Sequence, residues 1–224
     1  MGHGKKYLEA VKKVKQGEVY PLEQAVEIMK SLAFAKFDET VELAMSLNIK
    51  AQHSIRDTVV LPHQFGKEKK ILVFAKGDKA EEAKAAGAAY VGDDDLIEKI
   101  RGGWLDFDIA VSTPDLMKDV GKLGPILGRR GLMPNPKTQT VTFDIKGALA
   151  ELRKGRVEYR ADKTGVVHLA VGKVSMGGDA IAENVKIVVD TIRRKRPSDV
   201  KGEFIKSITV SSTMGPGLRV ENKE

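Results

Sequence analysis

The sequence contains no cysteine. That excludes disulfide scaffolds, thiolate nucleophiles, zinc ribbons and cysteine-held iron–sulfur clusters together. It also lacks a long apolar run. The longest, Ile71 to Ala75, is far short of the roughly 20 residues needed to cross a bilayer. Near the N-terminus, Lys5, Lys6, Glu9, Lys12 and Lys13 interrupt any signal-peptide core. The histidines, His3, His53, His63 and His168, have no zinc spacing and no HExxH, and no Gly-x-Ser-x-Gly elbow occurs. Each histidine reads as a surface or turn residue. The expectation is a soluble cytoplasmic protein with no membrane partner, catalytic residue or metal.

What is present is a chain of 224 residues with 42% hydrophobic content, enough for a real core in one large or two small domains. It carries 38 Lys+Arg against 31 Asp+Glu, a formal charge of +7. The excess is local rather than a basic tail. No acid occurs from Val120 to Phe143, from Lys163 to Gly178, or from Phe204 to Val220. Acid-free stretches rich in Gly, Ser and Thr suit a surface that approaches phosphates, because a carboxylate there would repel them. The densest basic run, Arg193 to Arg196, ends a helical segment, where positive charge complements the helix dipole.

Hydrophobic periodicity divides the chain. Leu22, Ala25, Val26, Met29 and Leu32 have helical spacing after Pro21. Val41, Leu43, Met45, Leu47 and Ile49 alternate with Glu42, Ala44, Ser46 and Asn48, which predicts a half-buried strand of a mostly antiparallel sheet. Residues 55–61 predict a second strand, stopped by Pro62. After Gly66, short apolar strands at 71–75, 89–91 and 108–112 alternate with helices at 79–86, 94–101, from Pro114, and at 144–154. That is the pattern of βαβ units and a covered parallel sheet. From Val157 the half-buried pattern returns, with strands at 157–160, 166–169 and 204–212 and a helix over 180–192. Neither flank alone has enough strands for a stable sheet. The economical fold class is an α+β split domain, residues 1–65 and 157–224, carrying an inserted α/β three-layer domain, residues 66–156, through a two-strand hinge.

The glycine-rich run Gly121 to Gly131 has neither Walker spacing nor Gly-x-Gly-x-x-Gly after a strand, so no nucleotide cofactor is expected. Its Gly128-Arg129-Arg130-Gly131 has the GxxG form with which KH domains clamp RNA backbone; the plainer reading is a turn with left-handed glycines. Either way, with Pro134 and Pro136 following, it predicts a rigid exposed basic loop. Asp93-Asp94-Asp95 reads as helix capping rather than a cation site.

Four stretches are more specific: Ala35-Lys36-Phe37-Asp38-Glu39-Thr40-Val41-Glu42, Gly128-Arg129-Arg130-Gly131-Leu132-Met133-Pro134-Asn135-Pro136-Lys137, Asp162-Lys163-Thr164-Gly165 and Thr213-Met214-Gly215-Pro216. In order and spacing they resemble the signatures of the large-subunit ribosomal protein L-one (stalk protein) family, bacterial type, over about Tyr7 to Val220. The resemblance departs at Arg56-Asp57, at Pro62-His63-Gln64, at Gly128-Arg129-Arg130-Gly131 and at Gln139, which stands where the family commonly has glycine.

The resemblance implies a split α+β domain with a Rossmann-like insert and no enzymatic activity. It implies binding to the 23S rRNA stalk in the large ribosomal subunit, help in releasing deacylated exit-site tRNA, repression through the protein's own operon mRNA, and a monomeric free protein. Carried over by motif, the RNA-binding residues are Lys36, Phe37 and Thr40; Lys163, Thr164, Gly165 and His168; and Thr213, Met214 and Gly215. Arg130 and Lys137 of the insert are secondary RNA or interdomain contacts. Threonine hydroxyls suit 2′-OH and phosphate oxygens, and glycines allow close approach. Phe37 and Met214 read either as packing against a sugar or base or as ordinary core.

Overall fold

A computed structural model describes residues 4–15, 17–49, 55–66, 69–198 and 200–222; His3 and His53 lie outside them. The first flank forms α1 (Lys5–Lys12), β1 (Val19–Tyr20), α2 (Leu22–Leu32), β2 (Thr40–Leu47) and β3 (Arg56–Val60). The middle forms β4 (Ile71–Phe74), α3 (Asp78–Ala85), β5 (Tyr90–Gly92), α4 (Asp94–Arg101), β6 (Ile109–Ser112), the short helices α5 (Met117–Val120) and α6 (Gly124–Leu127), and α7 (Ile145–Arg153). The last flank forms β7 (Arg156–Arg160), β8 (Val166–Lys173), α8 (Gly178–Arg194), β9 (Ile205–Ser212) and β10 (Leu218–Val220). The chain gathers into two compact units, 1–66 with 157–224, and 67–156.

In the first unit one sheet runs β1-β10-β9-β2-β8. β2 lies between β9 and β8 and is antiparallel to both. A strand of the N-terminal flank is thus completed on both sides by the C-terminal flank. Its alternation decides its faces: Val41, Leu43, Met45 and Leu47 are buried, while Glu42, Ala44 and Ser46 point the other way. The buried row meets Ala25, Val26 and Met29 of α2 and Ile181, Val185, Val188 and Ile192 of α8. Each fully buried aliphatic side chain contributes about 1.5–3 kcal/mol, so this helix layer fixes which face is covered. β3 and β7 form a separate two-stranded sheet.

In the second unit β4 is central between β5 and β6, and both pairings are parallel. All four β4 residues are buried because both faces are covered. Leu72 and Phe74 pack with Leu96, Ile97, Ile100, Leu116, Val120, Leu123 and Leu127. Ile71 and Val73 pack with Ala83, Ile145, Leu149 and Leu152.

The glycine-rich run is not the loop that its composition predicts. Gly121–Leu123 is a 3-10 turn, α6 follows with Pro125 in its first turn, and Gly128–Arg130 is another 3-10 turn. Leu123 and Leu127, four residues apart, are buried, and that apolar spacing holds the segment helical. Arg129 and Arg130 remain exposed, and of the glycines here only Gly131 adopts a left-handed φ, 70°. Asp93 precedes α4 without a side-chain capping bond; Lys76 pairs with Asp93 at 3.6 Å and Asp94 at 3.3 Å instead. Among the described residues no group of acidic and histidine side chains is placed to hold a metal, and no helix is long and apolar enough to cross a membrane.

Candidate nucleic-acid interface

Strand register places the motif residues. Thr40 opens β2 opposite Lys173 of β8, and Val41 stands opposite Ser212 of β9. One end of the sheet therefore collects residues 36–40, 173–175 and 213–215. Glu39 organises this end. Only 2% exposed, its Oε1 accepts the N–H groups of Phe34 at 3.2 Å and Ala35 at 2.9 Å, and its Oε2 accepts that of Met214 at 3.1 Å. Burial raises its carboxyl pKa, but the neighbouring Ser212 hydroxyl and the amides of Ala35, Met214 and Phe34 outweigh it and hold it below the ordinary value.

Beside it the Thr213 hydroxyl accepts the Thr40 N–H at 2.9 Å and lies 3.3 Å from the Thr40 carbonyl oxygen as donor. The Thr40 hydroxyl accepts the Lys173 ammonium at 2.7 Å, which leaves its own O–H able to donate outward. Asp38 is turned onto Ser175, accepting its N–H at 3.1 Å and its hydroxyl at 2.8 Å. Lys36 is exposed, Phe37 is 56% exposed and Met214 is 48% exposed. That decides the open question about these two side chains: both are on the surface, not in the core. Gly215 cannot be replaced freely, since a Cβ there would fall 2.5 Å from the Ser212 Oγ.

The 162–165 turn is at the other end of the sheet. Asp162 Oδ1 accepts the Thr164 N–H at 2.8 Å, the Thr164 hydroxyl at 2.7 Å and the Val166 N–H at 2.8 Å. Those bonds, that of Val166 foremost, hold the Asp162 carboxyl below its ordinary pKa. Gly165 has φ 81°, and its carbonyl accepts the Leu47 N–H at 2.8 Å. Lys163 and Thr164 are exposed on this turn. Thr40 to Leu47 spans seven residue steps, about 23 Å of strand. The three motifs thus form two clusters at opposite ends of one sheet rather than a single patch.

The open face joins them. His168 is exposed midway, opposite Ala44. Ala44 also stands opposite Thr209, and Thr209 opposite Arg219, giving a row Arg219–Thr209–Ala44–His168 about 14 Å wide. Ser46 pairs with Ser207, and Glu42 with Ser211, in neighbouring rows. Motif reading missed Ser46, Ser207, Thr209, Ser211 and Arg219. The signal for them is the polar half of each alternating strand. Arg130 and Lys137 are exposed on the second unit, Arg130 in the turn Gly128–Arg130 and Lys137 in the turn Pro136–Thr138, where Asn135 Oδ1 accepts the Lys137 N–H at 2.8 Å.

A family model described as the ribosomal protein L1p/L10e family matches residues 29–216. The chain is 60% identical over 223 residues to the large ribosomal subunit protein uL1 of Treponema denticola, covering 100% of this chain and 99% of that protein. It is 58% identical over 218 residues to the protein of the same name from Borrelia hermsii, covering 97% of each chain. To that of Borreliella afzelii it is 59% identical over 218 residues, covering 97% of this chain and 96% of the relative.

Proposed function

Because the chain belongs to the ribosomal protein L1p/L10e family, we propose that it is a large-subunit ribosomal protein that binds the stalk region of 23S rRNA with the open face of its five-stranded sheet. The family consists of ribosomal proteins, not enzymes. In the same reading the protein assists release of deacylated tRNA from the exit site and represses translation by binding a similar structure in its own operon mRNA. The free protein is a monomer in cytoplasm.

One observation carries the RNA reading. The open face carries small side chains, Ala44, Ser46, Ser207, Thr209 and Ser211, with the exposed Arg219 and His168 in the same rows and one acid, Glu42, beside Ser211; it lies between a threonine–glycine cluster at one end and a lysine-bearing turn at the other. A-form RNA presents a wide, shallow minor groove displaying 2′-hydroxyls, and it is read by shape and by hydroxyl and phosphate contacts. The hydroxyls of Ser46, Ser207, Thr209 and Ser211 can meet that groove, with the longer His168 and Arg219 flanking them in the central row. Lys36, Lys163, Lys206 and Arg219 are exposed cations on the face or its rim, able to meet the flanking phosphates. The modest net charge fits recognition of a folded shape more than bulk attraction.

Filter binding of a stalk-region rRNA transcript against a scrambled transcript, each at two salt concentrations, tests this. The stalk transcript should bind more tightly at both, with log K falling by roughly 0.7–0.9 per phosphate neutralised as log salt rises. Equal affinity for the two RNAs would overturn it.

A further inference from the structure

Next to the Thr40–Thr213 end of the sheet lies a hollow of about 400 Å³ lined by Gly4, Lys5, Lys6, Tyr7, Phe34 and Met214. None of these residues belongs to the sequence motifs except Met214, and none is acidic. Its walls are two aromatic side chains and a thioether, and its N-terminal lip carries two exposed lysines. The walls are not set independently: the buried Glu39 carboxylate accepts the backbone N–H of Phe34 through one oxygen and that of Met214 through the other. The hollow is therefore held by the same group that anchors the Thr40–Thr213 corner.

We propose that this hollow receives one unstacked nucleotide of the bound RNA, its base against Tyr7, Phe34 and Met214 and its phosphates near Lys5 and Lys6. The inference rests on the RNA-binding reading above and extends it to α1, which no motif includes. Three features carry it. The volume lies within the range of small-ligand pockets, which are mainly apolar with a few polar groups. The chemistry, aromatic faces beside lysines with no carboxylate, is that of a base-stacking site on a backbone-tracking surface. The position is continuous with the proposed interface, because Met214 belongs to both.

The test uses the full chain and the stalk-region transcript. Tyr7→Ala should weaken binding about tenfold and leave the salt slope unchanged, because stacking, not charge, is removed. Lys5→Gln with Lys6→Gln should weaken binding and lower the slope by about 1 to 2, because phosphate contacts are removed. A transcript carrying 4-thiouridine should cross-link on irradiation to the peptide containing residues 4–12. Wild-type affinity in both variants with no such cross-link would overturn the inference and leave the functional reading standing. Should Tyr7→Ala lower the melting temperature, the lysine pair and the cross-link decide alone. If the wild-type chain does not distinguish the transcript from its scrambled counterpart, the functional reading fails and this inference fails with it.

Discussion

The Thr213 hydroxyl closes onto the Thr40 backbone from across the sheet, accepting its N–H at 2.9 Å and facing its carbonyl oxygen at 3.3 Å. A side chain assigned to RNA by its motif is thus also a fastener between the end of β9 and the start of β2. Thr213→Val keeps the shape and removes both bonds. It should cost about 0.5–1.5 kcal/mol of stability for each bond lost, the net worth of an ordinary hydrogen bond, and also weaken RNA binding. Thr213→Ser, which retains the hydroxyl, should recover most of both. Urea unfolding beside filter binding separates the two effects; an RNA defect at wild-type stability would mean the fastening is irrelevant.

Glu39 gives a pH-dependent counterpart. Its carboxyl pKa is depressed on folding, so the ionised group stabilises the fold above the unfolded-state value near 4.5. That contribution is lost as pH falls through the lower folded-state pKa. Glu39→Gln keeps one acceptor oxygen, but its NH2 then faces either the Met214 N–H or those of Phe34 and Ala35, which now find an acceptor. It should cost about 1–3 kcal/mol at pH 7. Below pH 4.5 the gap to wild type should narrow as the wild-type carboxyl takes up its proton. Denaturation midpoints for both proteins from pH 7 to pH 3 check this; a constant gap would contradict it.

The physical reasons for what was and was not legible lie in particular residues. Val41, Leu43, Met45 and Leu47 alternate without interruption, so β2 could be read directly. The same alternation contained Ser46, and β9 contained Ser207, Thr209 and Ser211, but small polar side chains carry no motif and become a surface only when register aligns them. Glu39 was hidden for the opposite reason. Beside Asp38 and ahead of a strand it reads as solvated, and only the returning chain at Met214 buries it. At residues 121–131 glycine content masked the helical pair Leu123 and Leu127. Of the basic run, Arg193 and Arg194 stand in the last turn of α8, as a helix-end role requires, whereas Lys195 pairs with Asp57 at 2.6 Å and Arg196 donates to the carbonyls of Val200 and Gly202, each at 2.9 Å. Those partners are distant in sequence or lie in a loop without pattern.

Gly165 ties the lysine-bearing turn to β2. Its φ of 81° already disfavours any side chain, and a Cβ would fall 2.9 Å from the Leu47 carbonyl oxygen and 3.0 Å from Ile49 Cγ1. Gly165→Ala should therefore destabilise the protein by more than about 1 kcal/mol. Amides at Leu47 and Val166 should lose hydrogen-exchange protection first, since both donate within this junction. Unchanged protection there would show that the turn adapts without strain.

Gln139 is the one non-glycine with positive φ among the described residues, at 53°. Its side chain is committed as well, its Oε1 accepting from the buried guanidinium of Arg156 at 2.7 Å. Two substitutions separate these roles. Gln139→Ala keeps the left-handed strain and removes the acceptor, whereas Gln139→Gly removes the acceptor and relieves the strain. The glycine variant should be the more stable of the two by about 1 kcal/mol, the cost of holding a Cβ in the left-handed region. Both should fall below wild type, because Arg156 loses one charge-assisted hydrogen bond, worth about 1.5–3 kcal/mol, while keeping its pair with Glu151 at 2.9 Å. Chemical denaturation of the three proteins side by side measures both differences. A glycine variant more stable than wild type would mean that backbone strain outweighs the bond to Arg156 at this position.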